Sequence, residues 1–246
     1  HADLVSKLQQ NSVRDAILNE VDEPVNPDII FDGMTRMVQS MLHRLYPLGE
    51  IPDYEPDPSR SFVEIAKSNN ATPEEVLYDY MLKDEGHAMG MMPIFNYVDG
   101  NHDVIREMLL HPQAVSGLSD GGAHCGMICD ASIPTFMLSH WTRDRTRGEK
   151  LPLEWIIKKQ TLDTASLYGL SDRGSLKVGK RADLNVIDYE ALTLHGPKMA
   201  HDLPAGGRRL LQEATGYDYT IVAGQITRDH GKDTGKRPGH LIRGAR

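Results

Sequence analysis

A carboxylate, two glycines and a histidine follow a short apolar run near the middle of the chain. Residues 114–124 are Ala-Val-Ser-Gly-Leu-Ser-Asp-Gly-Gly-Ala-His, so Asp120 ends the run and His124 comes four residues later. A carboxylate held there could bind a cation or take a proton from water, and α/β barrels place their chemistry at strand ends. We therefore predict a buried strand that delivers Asp120 into a loop. The alternative is a turn in which Asp120 only caps the next segment.

A histidine and two cysteines offer further chemistry on the same stretch. His124 could contact a substrate or stabilise a developing oxyanion, and a capping or surface role is equally compatible with its position. Asp120, His124, Cys125 and Cys129 are all competent zinc ligands, so a compact structural zinc site is a second hypothesis. The cysteines are four residues apart and directly follow a histidine, which is not a usual zinc-ribbon pattern. The structural zinc site is therefore the weaker hypothesis.

Three arginines alternate in the segment Trp-Thr-Arg-Asp-Arg-Thr-Arg at residues 141–147. Arg143, Arg145 and Arg147 could bind a carboxylate. Salt bridges with Asp144 and Glu149 at the surface are the better supported interpretation, because opposite charges lie close by in the sequence.

The composition excludes several classes of partner. The 246 residues suffice for one barrel-sized domain or two smaller ones. A net charge of -8 argues against a nucleic-acid-binding surface, and no apolar run approaches the ~20 residues that a membrane span needs. The two cysteines cannot build a disulfide framework and indicate a reducing, cytoplasmic setting. We expect neither a nucleic-acid nor a membrane partner.

The elements that position Asp120 alternate between helix and strand. Apolar spacing and capping residues predict helices at residues 4–21, 34–45, 62–66 and beyond, 72–86 and 101–111. Short apolar runs predict strands at residues 29–31, 89–97 and 114–120. Strand, helix, strand in this order is a βα unit of a parallel sheet. Asn96 and Tyr97 end the second of these strands and are candidates for lining the pocket.

The last part of the chain has a different character. Helices are predicted at residues 151–159 and 163–168, and a short strand at residues 182–187. Residues 219–227 predict a hairpin with Ala223-Gly224 at its tip. We place a domain boundary near Leu170, where this change occurs.

Several motifs resemble the amidohydrolase superfamily. Residues 161–188 contain Thr-Leu-Asp-Thr-Ala, Tyr-Gly-Leu and Gly-Ser-Leu-Lys-Val-Gly-Lys-Arg-Ala-Asp-Leu-Asn-Val-Ile-Asp, which look like its C-terminal signature. Ser119-Asp120-Gly121 is similar to the motif that ends the eighth barrel strand in that superfamily. Residues 60–66 and 73–77 resemble one branch, the D-aminoacylases or N-acyl-D-amino-acid deacylases.

The resemblance implies an α/β fold. Residues 1–170 would be the C-terminal portion of a metal-dependent hydrolase (β/α)8 TIM barrel, with an insertion around residues 46–90. Residues 171–246 would supply strands of a small composite β-sandwich and a C-terminal tail. Asp120 would bind the catalytic metal and take a proton from its water, with His124 and Asn96 as candidate substrate-binding residues.

The implied activity is hydrolysis of a C–N amide bond, in an N-acyl-D-amino acid, with one or two Zn²⁺ ions. The eleven histidines include no His-x-His pair, which completes the metal site in that superfamily, and the segment before Asp120 suffices only for the last βα units. We therefore expect a C-terminal fragment of a longer enzyme, inactive by itself. The alternatives are a cyclic-amide hydrolase of the dihydroorotase or hydantoinase kind, and a structural remnant without turnover.

The sequence departs from the D-aminoacylases after the Ser-Asp-Gly motif. D-aminoacylases usually place an arginine shortly after Ser-Asp-Gly, in a segment that handles the substrate carboxylate, whereas here residues 129–132 are Cys-Asp-Ala-Ser. An incomplete barrel exposes an unpaired strand edge and an apolar face, both of which favour association. We expect a small-molecule amide substrate and a homo-oligomer.

Overall fold

The computed structural model describes residues 1–21, 26, 28, 40–117, 119–122 and 124–243. The strand predicted at residues 29–31 and the larger part of the helix predicted at residues 34–45 lie outside the described residues. The chain divides into two compact units, His1–Val104 and Ile105–Arg246. The domain boundary near Leu170 remains a prediction.

The helices of the first unit include α1 (Ala2–Leu8), α2 (Asn11–Leu18), α3 (Phe62–Asn69) and α4 (Pro73–Met81). Capping side chains that the sequence predicts begin α3 and α4, whereas α1 and α2 begin without a side-chain cap. The hydroxyl of Thr72 accepts from the Glu75 backbone N–H (3.2 Å), and the Glu75 carboxylate accepts from the Thr72 N–H (2.8 Å). Ser61 caps α3 in the same way by accepting from the Glu64 N–H at 3.3 Å. Both predicted helix starts are confirmed.

A two-stranded antiparallel sheet packs with α3 and α4 in the first unit. It pairs β1 (Tyr46–Leu48) with β2 (Met89–Met91). Phe62 at the start of α3 is completely buried and makes an edge contact with the ring of Tyr80 on α4, at 5.1 Å between centroids. The Tyr80 hydroxyl lies 3.0 Å from the Leu48 carbonyl oxygen and so connects α4 to the sheet. This aromatic contact joins α3 to α4.

The helices that follow residue 102 are interrupted by two π-helical turns. The helices are α5 (Asp103–Leu110), α6 (Ile133–Ser139), α7 (Leu153–Lys158) and α8 (Thr164–Leu167). The π turns are His140–Asp144, after α6, and Lys159–Asp163, between α7 and α8. The buried side chains of Met137, Trp141, Leu151 and Ile156 form the core of the second unit. Among the described residues, no helix is long and apolar enough to cross a membrane.

The strands of the second unit all follow its helices. They are β3 (Leu184–Ile187), β4 (Thr193–Leu194), β5 (Lys198–Leu203), β6 (Gly207–Leu211), β7 (Ala214–Thr215), β8 (Tyr217–Val222), β9 (Gln225–Asp229) and β10 (Lys232–Asp233). The largest sheet has the order β10-β9-β8-β3, and β5-β6 and β4-β7 are separate pairs. Ala223 and Gly224 turn the β8–β9 hairpin with φ of 49° and 76°, which confirms the predicted hairpin.

Two predicted strands differ from the structure. No described residue between 111 and 122 belongs to a strand, because the Ala114 carbonyl accepts from the side chain of Lys159 (2.6 Å) and the segment has no strand partner. The strand predicted at residues 89–97 ends at Met91. All strand pairs within the described residues are antiparallel, so the predicted parallel βα unit is not formed among them. The fold is a mixture of helices and antiparallel strands.

Candidate functional site

Asp120 lies in an irregular loop of the second unit, with its side chain exposed to solvent. A second carboxylate, that of Asp130, interacts with it electrostatically. Partial removal from solvent raises the pKa of Asp130, and the negative charge of Asp120 raises it further. Two neighbouring carboxylates create a region of negative electrostatic potential, which suits a bound cation.

The segment that leads to Asp120 is fixed by a buried lysine. Lys159 is 3% exposed and begins the π turn Lys159–Asp163. Its ammonium group donates to the Ala114 carbonyl at 2.6 Å and lies 4.8 Å from the ring centroid of Trp155. Burial lowers the pKa of Lys159, since a charged amine loses hydration inside the protein. One part-buried hydrogen bond thus holds the start of the segment that carries Asp120.

The loop after Asp120 folds back on itself. The carbonyl of His124 accepts from the backbone N–H groups of Met127 (2.7 Å) and Ile128 (3.0 Å), and His124 has a φ of 50°. A Cβ atom at Gly121 would lie 3.1 Å from the Cβ of Ala131, so the two arms of the loop approach closely at this glycine. Any larger side chain at Gly121 would push the arms apart. The fold of the loop therefore places Asp120 near Asp130.

Strand β6 and the residue after it hold the same loop from outside. The Leu210 N–H donates to the Cys125 carbonyl at 2.6 Å. The Ser132 hydroxyl donates to Oε1 of Gln212 at 2.6 Å, and the Cys129 thiol approaches the same oxygen at 3.7 Å. Burial, followed by the charge of Asp130, raises the pKa of the Cys129 thiol. The loop is thus docked by both backbone and side-chain hydrogen bonds.

The structural zinc site is not formed by the residues that the structure describes. The Cys125 thiol points to the carbonyl of Arg208 at 3.9 Å, whereas the Cys129 thiol points to Gln212. Within the described ranges, the ligand atoms of Asp120, His124, Cys125 and Cys129 do not gather into a group of three. Asp120 therefore stands as a single potential metal ligand beside a second carboxylate. The negative charge of the two carboxylates suits a cation. Zinc usually takes four ligands, however, and Asp120 supplies only one of them.

The arginines at residues 143–147 have structural partners. Arg143 pairs with Asp144 (2.6 Å) and also donates to the Leu192 carbonyl (2.6 Å). Arg145 is 1% exposed, lies 4.8 Å from the ring centroid of Trp141, and donates to the Glu149 carbonyl at 2.8 Å. The predicted pairing with Asp144 is confirmed for Arg143. The Glu149 carboxylate pairs with another arginine, Arg106, at 2.6 Å.

Asn96 lies in the first unit, on the loop after β2. Its side chain is exposed and its φ is 57°. The neighbouring Tyr97 is 3% exposed, and its hydroxyl donates to the Pro56 carbonyl at 2.6 Å. Tyr97 is therefore a core residue, which corrects the expectation that it lines a pocket. A substrate contact by Asn96 remains a prediction.

The first unit contains a buried carboxylate and imidazole that the sequence analysis missed. Glu55 and His102 are 2% and 8% exposed. Oε1 of Glu55 accepts from the His102 backbone N–H at 2.7 Å, and Oε2 lies 3.9 Å from Nδ1 of the ring. Both groups are metal-ligand types, and the same contacts suit a structural role. The two residues are 47 positions apart and carry no shared motif, so no local signal could have found them.

Comparison with known proteins places the chain in one family. The model of the Amidohydrolase family matches residues 78–228, well over half of the chain, and the match includes Asp120 and its loop. No curated protein and no solved structure matches the sequence. The chain therefore belongs to the Amidohydrolase family.

Proposed function

We propose that the protein is a metal-dependent hydrolase that cleaves a C–N amide bond, with Asp120 at the reacting centre. One observation carries the proposal: an exposed carboxylate, on a segment fixed at Ala114 by Lys159 and docked beyond Asp120 on β6, lies within the region that matches the family. An exposed carboxylate costs no desolvation until it meets a ligand, and a fixed backbone lowers the entropy lost on binding.

Asp120 would be one of the residues that hold the ion. Zinc in such a site lowers the pKa of a bound water to about 7. The carboxylate of Asp120 orients the attacking water and accepts its proton. The same proton is then delivered to the leaving nitrogen, so that the amine departs uncharged. We also propose that further residues complete the coordination of one or two zinc ions. The proposed fold of the whole enzyme is a TIM barrel with a small β-sandwich.

The proposed substrate is an N-acyl-D-amino acid. A cyclic amide is the second candidate, and Asp130 is the observation that favours it. Partial burial, followed by the charge of Asp120, raises the pKa of Asp130, and a substrate carboxylate would add a third acidic group beside these two. A cyclic amide without a carboxylate would avoid this repulsion. A cytoplasmic location and self-association are further parts of the proposal.

Activity and metal content of the full-length protein test this function. Elemental analysis measures zinc, and a substrate panel compares N-acyl-D-amino acids, their L enantiomers and cyclic imides. We expect bound zinc, turnover of one amide class, and loss of that turnover in Asp120→Asn. Zinc-free protein without turnover of any panel member would refute the proposal and leave a structural remnant as the alternative.

A further inference from the structure

We propose that Gln212 is a positioning residue for Asp120: its side-chain amide holds the turn that carries Asp130 and Ser132, and that turn holds the arm of Asp120. The inference rests on the proposed function, because it concerns the placement of the carboxylate that the mechanism uses. Gln212 lies between β6 and β7, far from Asp120 in sequence.

Both ends of the Gln212 amide are engaged. Its oxygen accepts from the Ser132 hydroxyl at 2.6 Å and is approached by the Cys129 thiol at 3.7 Å. Its nitrogen donates to the His195 carbonyl at 2.8 Å. A flipped amide would set its oxygen against the His195 oxygen, so the contacts select one orientation. The half-buried side chain therefore joins the loop to the strand region by a directional bridge.

The bridge reaches Asp120 through close backbone contacts. Ser132 ends the short helical turn Asp130–Ser132. The preceding residue, Ala131, is the one that Gly121 approaches so closely that an added Cβ would lie 3.1 Å away. Gly121 follows Asp120 directly. A displacement of the turn would therefore change the position of Gly121 and of the Asp120 carboxylate.

The hydrogen bonds of Gln212 oppose the electrostatic repulsion between Asp120 and Asp130. The close approach of Gly121 to Ala131 brings Asp120 and Asp130 towards each other, and their like charges repel. Asp130 belongs to the turn that Gln212 holds through Ser132. A separate hydrogen bond, from the Leu210 N–H to the Cys125 carbonyl, fixes the tip of the loop. Loss of the Gln212 amide would let the two carboxylates separate while the tip stays docked.

Gln212→Leu in the full-length protein tests the inference, because leucine keeps much of the volume and removes both hydrogen bonds. Gln225→Leu is the matched control, since Gln225 is exposed on β9. Three quantities are measured: the rate of Cys129 alkylation by iodoacetamide relative to Cys125, the zinc dissociation constant, and kcat with KM on the amide found to be turned over.

We expect faster alkylation of Cys129 with Cys125 unchanged. Zinc affinity and kcat should each fall by about tenfold or more, with KM changed little, as is typical when a group that orients a metal ligand is lost. Gln225→Leu should match the wild type in all three. Ser132→Ala removes the same hydrogen bond from the loop side and replaces Gln212→Leu if that variant does not fold.

Two results separate this inference from the proposed function. Unchanged kcat and zinc affinity in a folded Gln212→Leu protein, beside an active wild type, would overturn the inference and leave the function intact. A wild type without any amidase activity would refute the function, and zinc affinity and Cys129 alkylation then decide the inference. If the wild type also binds no zinc, the alkylation ratio alone decides it: an unchanged ratio overturns it.

Discussion

Two carboxylates, one in each unit, have opposite environments. Glu55 is 2% exposed, and its oxygen accepts from the His102 backbone N–H at 2.7 Å. This carboxylate therefore forms its hydrogen bond inside the protein. Asp120 is exposed to solvent, and the segment that carries it is held at Ala114 by Lys159. A buried carboxylate stabilises the protein only together with its partners, whereas an exposed one on a fixed loop is available to a ligand. Residue type alone does not distinguish the two.

The largest effect is expected from Asp120→Asn. Asparagine keeps the shape and one oxygen but cannot accept the proton of the attacking water. We expect kcat to fall by at least ~10²-fold with KM changed little, because general-base contributions are ~10² to 10⁴-fold. Steady-state kinetics measure this, and the melting temperature should stay within a degree or two of wild type. Near-normal turnover would remove Asp120 from the mechanism.

Glu55→Ala should have the opposite signature. Removal of this carboxylate leaves the buried His102 N–H without its acceptor, which costs about 1–3 kcal/mol of unfolding free energy. Urea unfolding measures the loss, and kcat per folded molecule should be unchanged. Glu50→Ala, an exposed glutamate of the same unit, is the control and should cost less than about 0.5 kcal/mol. Equal losses in the two variants would contradict the comparison.

Lys159 predicts a dependence on pH. Its pKa is lowered in the folded protein, so over the interval up to the ordinary lysine pKa of about 10.4 the unfolded chain binds more protons than the folded one. The unfolding free energy should therefore rise as the pH rises through that interval. Lys159→Met should lack this rise. Urea unfolding of both proteins between neutral and alkaline pH measures it, and parallel curves would show that the amine is not responsible.

The smallest effect is expected from His124→Ala. If His124 only shapes the loop, kcat should stay within about tenfold of wild type, and a larger loss would indicate contact with the oxyanion. The φ of 50° at this position also disfavours alanine, which confounds the result with strain. His124→Gly removes the side chain without that strain. Kinetic agreement between the two variants would assign the effect to the imidazole itself.

The sequence predicted correctly those features that depend on neighbouring residues, such as helix caps and hairpin turns. The capping box at Thr72 and the hairpin tip at Ala223-Gly224 depend on residues within a few positions of each other, and both are confirmed. The strand before Asp120 was wrong because a strand needs a partner, which the segment lacks, whereas Lys159 satisfies Ala114. The bridge from Gln212 to Ser132 spans 80 positions, and no periodicity encodes such a contact.

The π turn at Lys159–Asp163 fixes how α7 and α8 are rotated relative to each other. A π turn holds one residue more than the corresponding α-helical turn, and such turns are frequent at functional sites. Each residue of a helix is rotated by about 100° from the next, so deletion of one residue from this turn would rotate α7, with Lys159 at its end, by about that angle relative to α8.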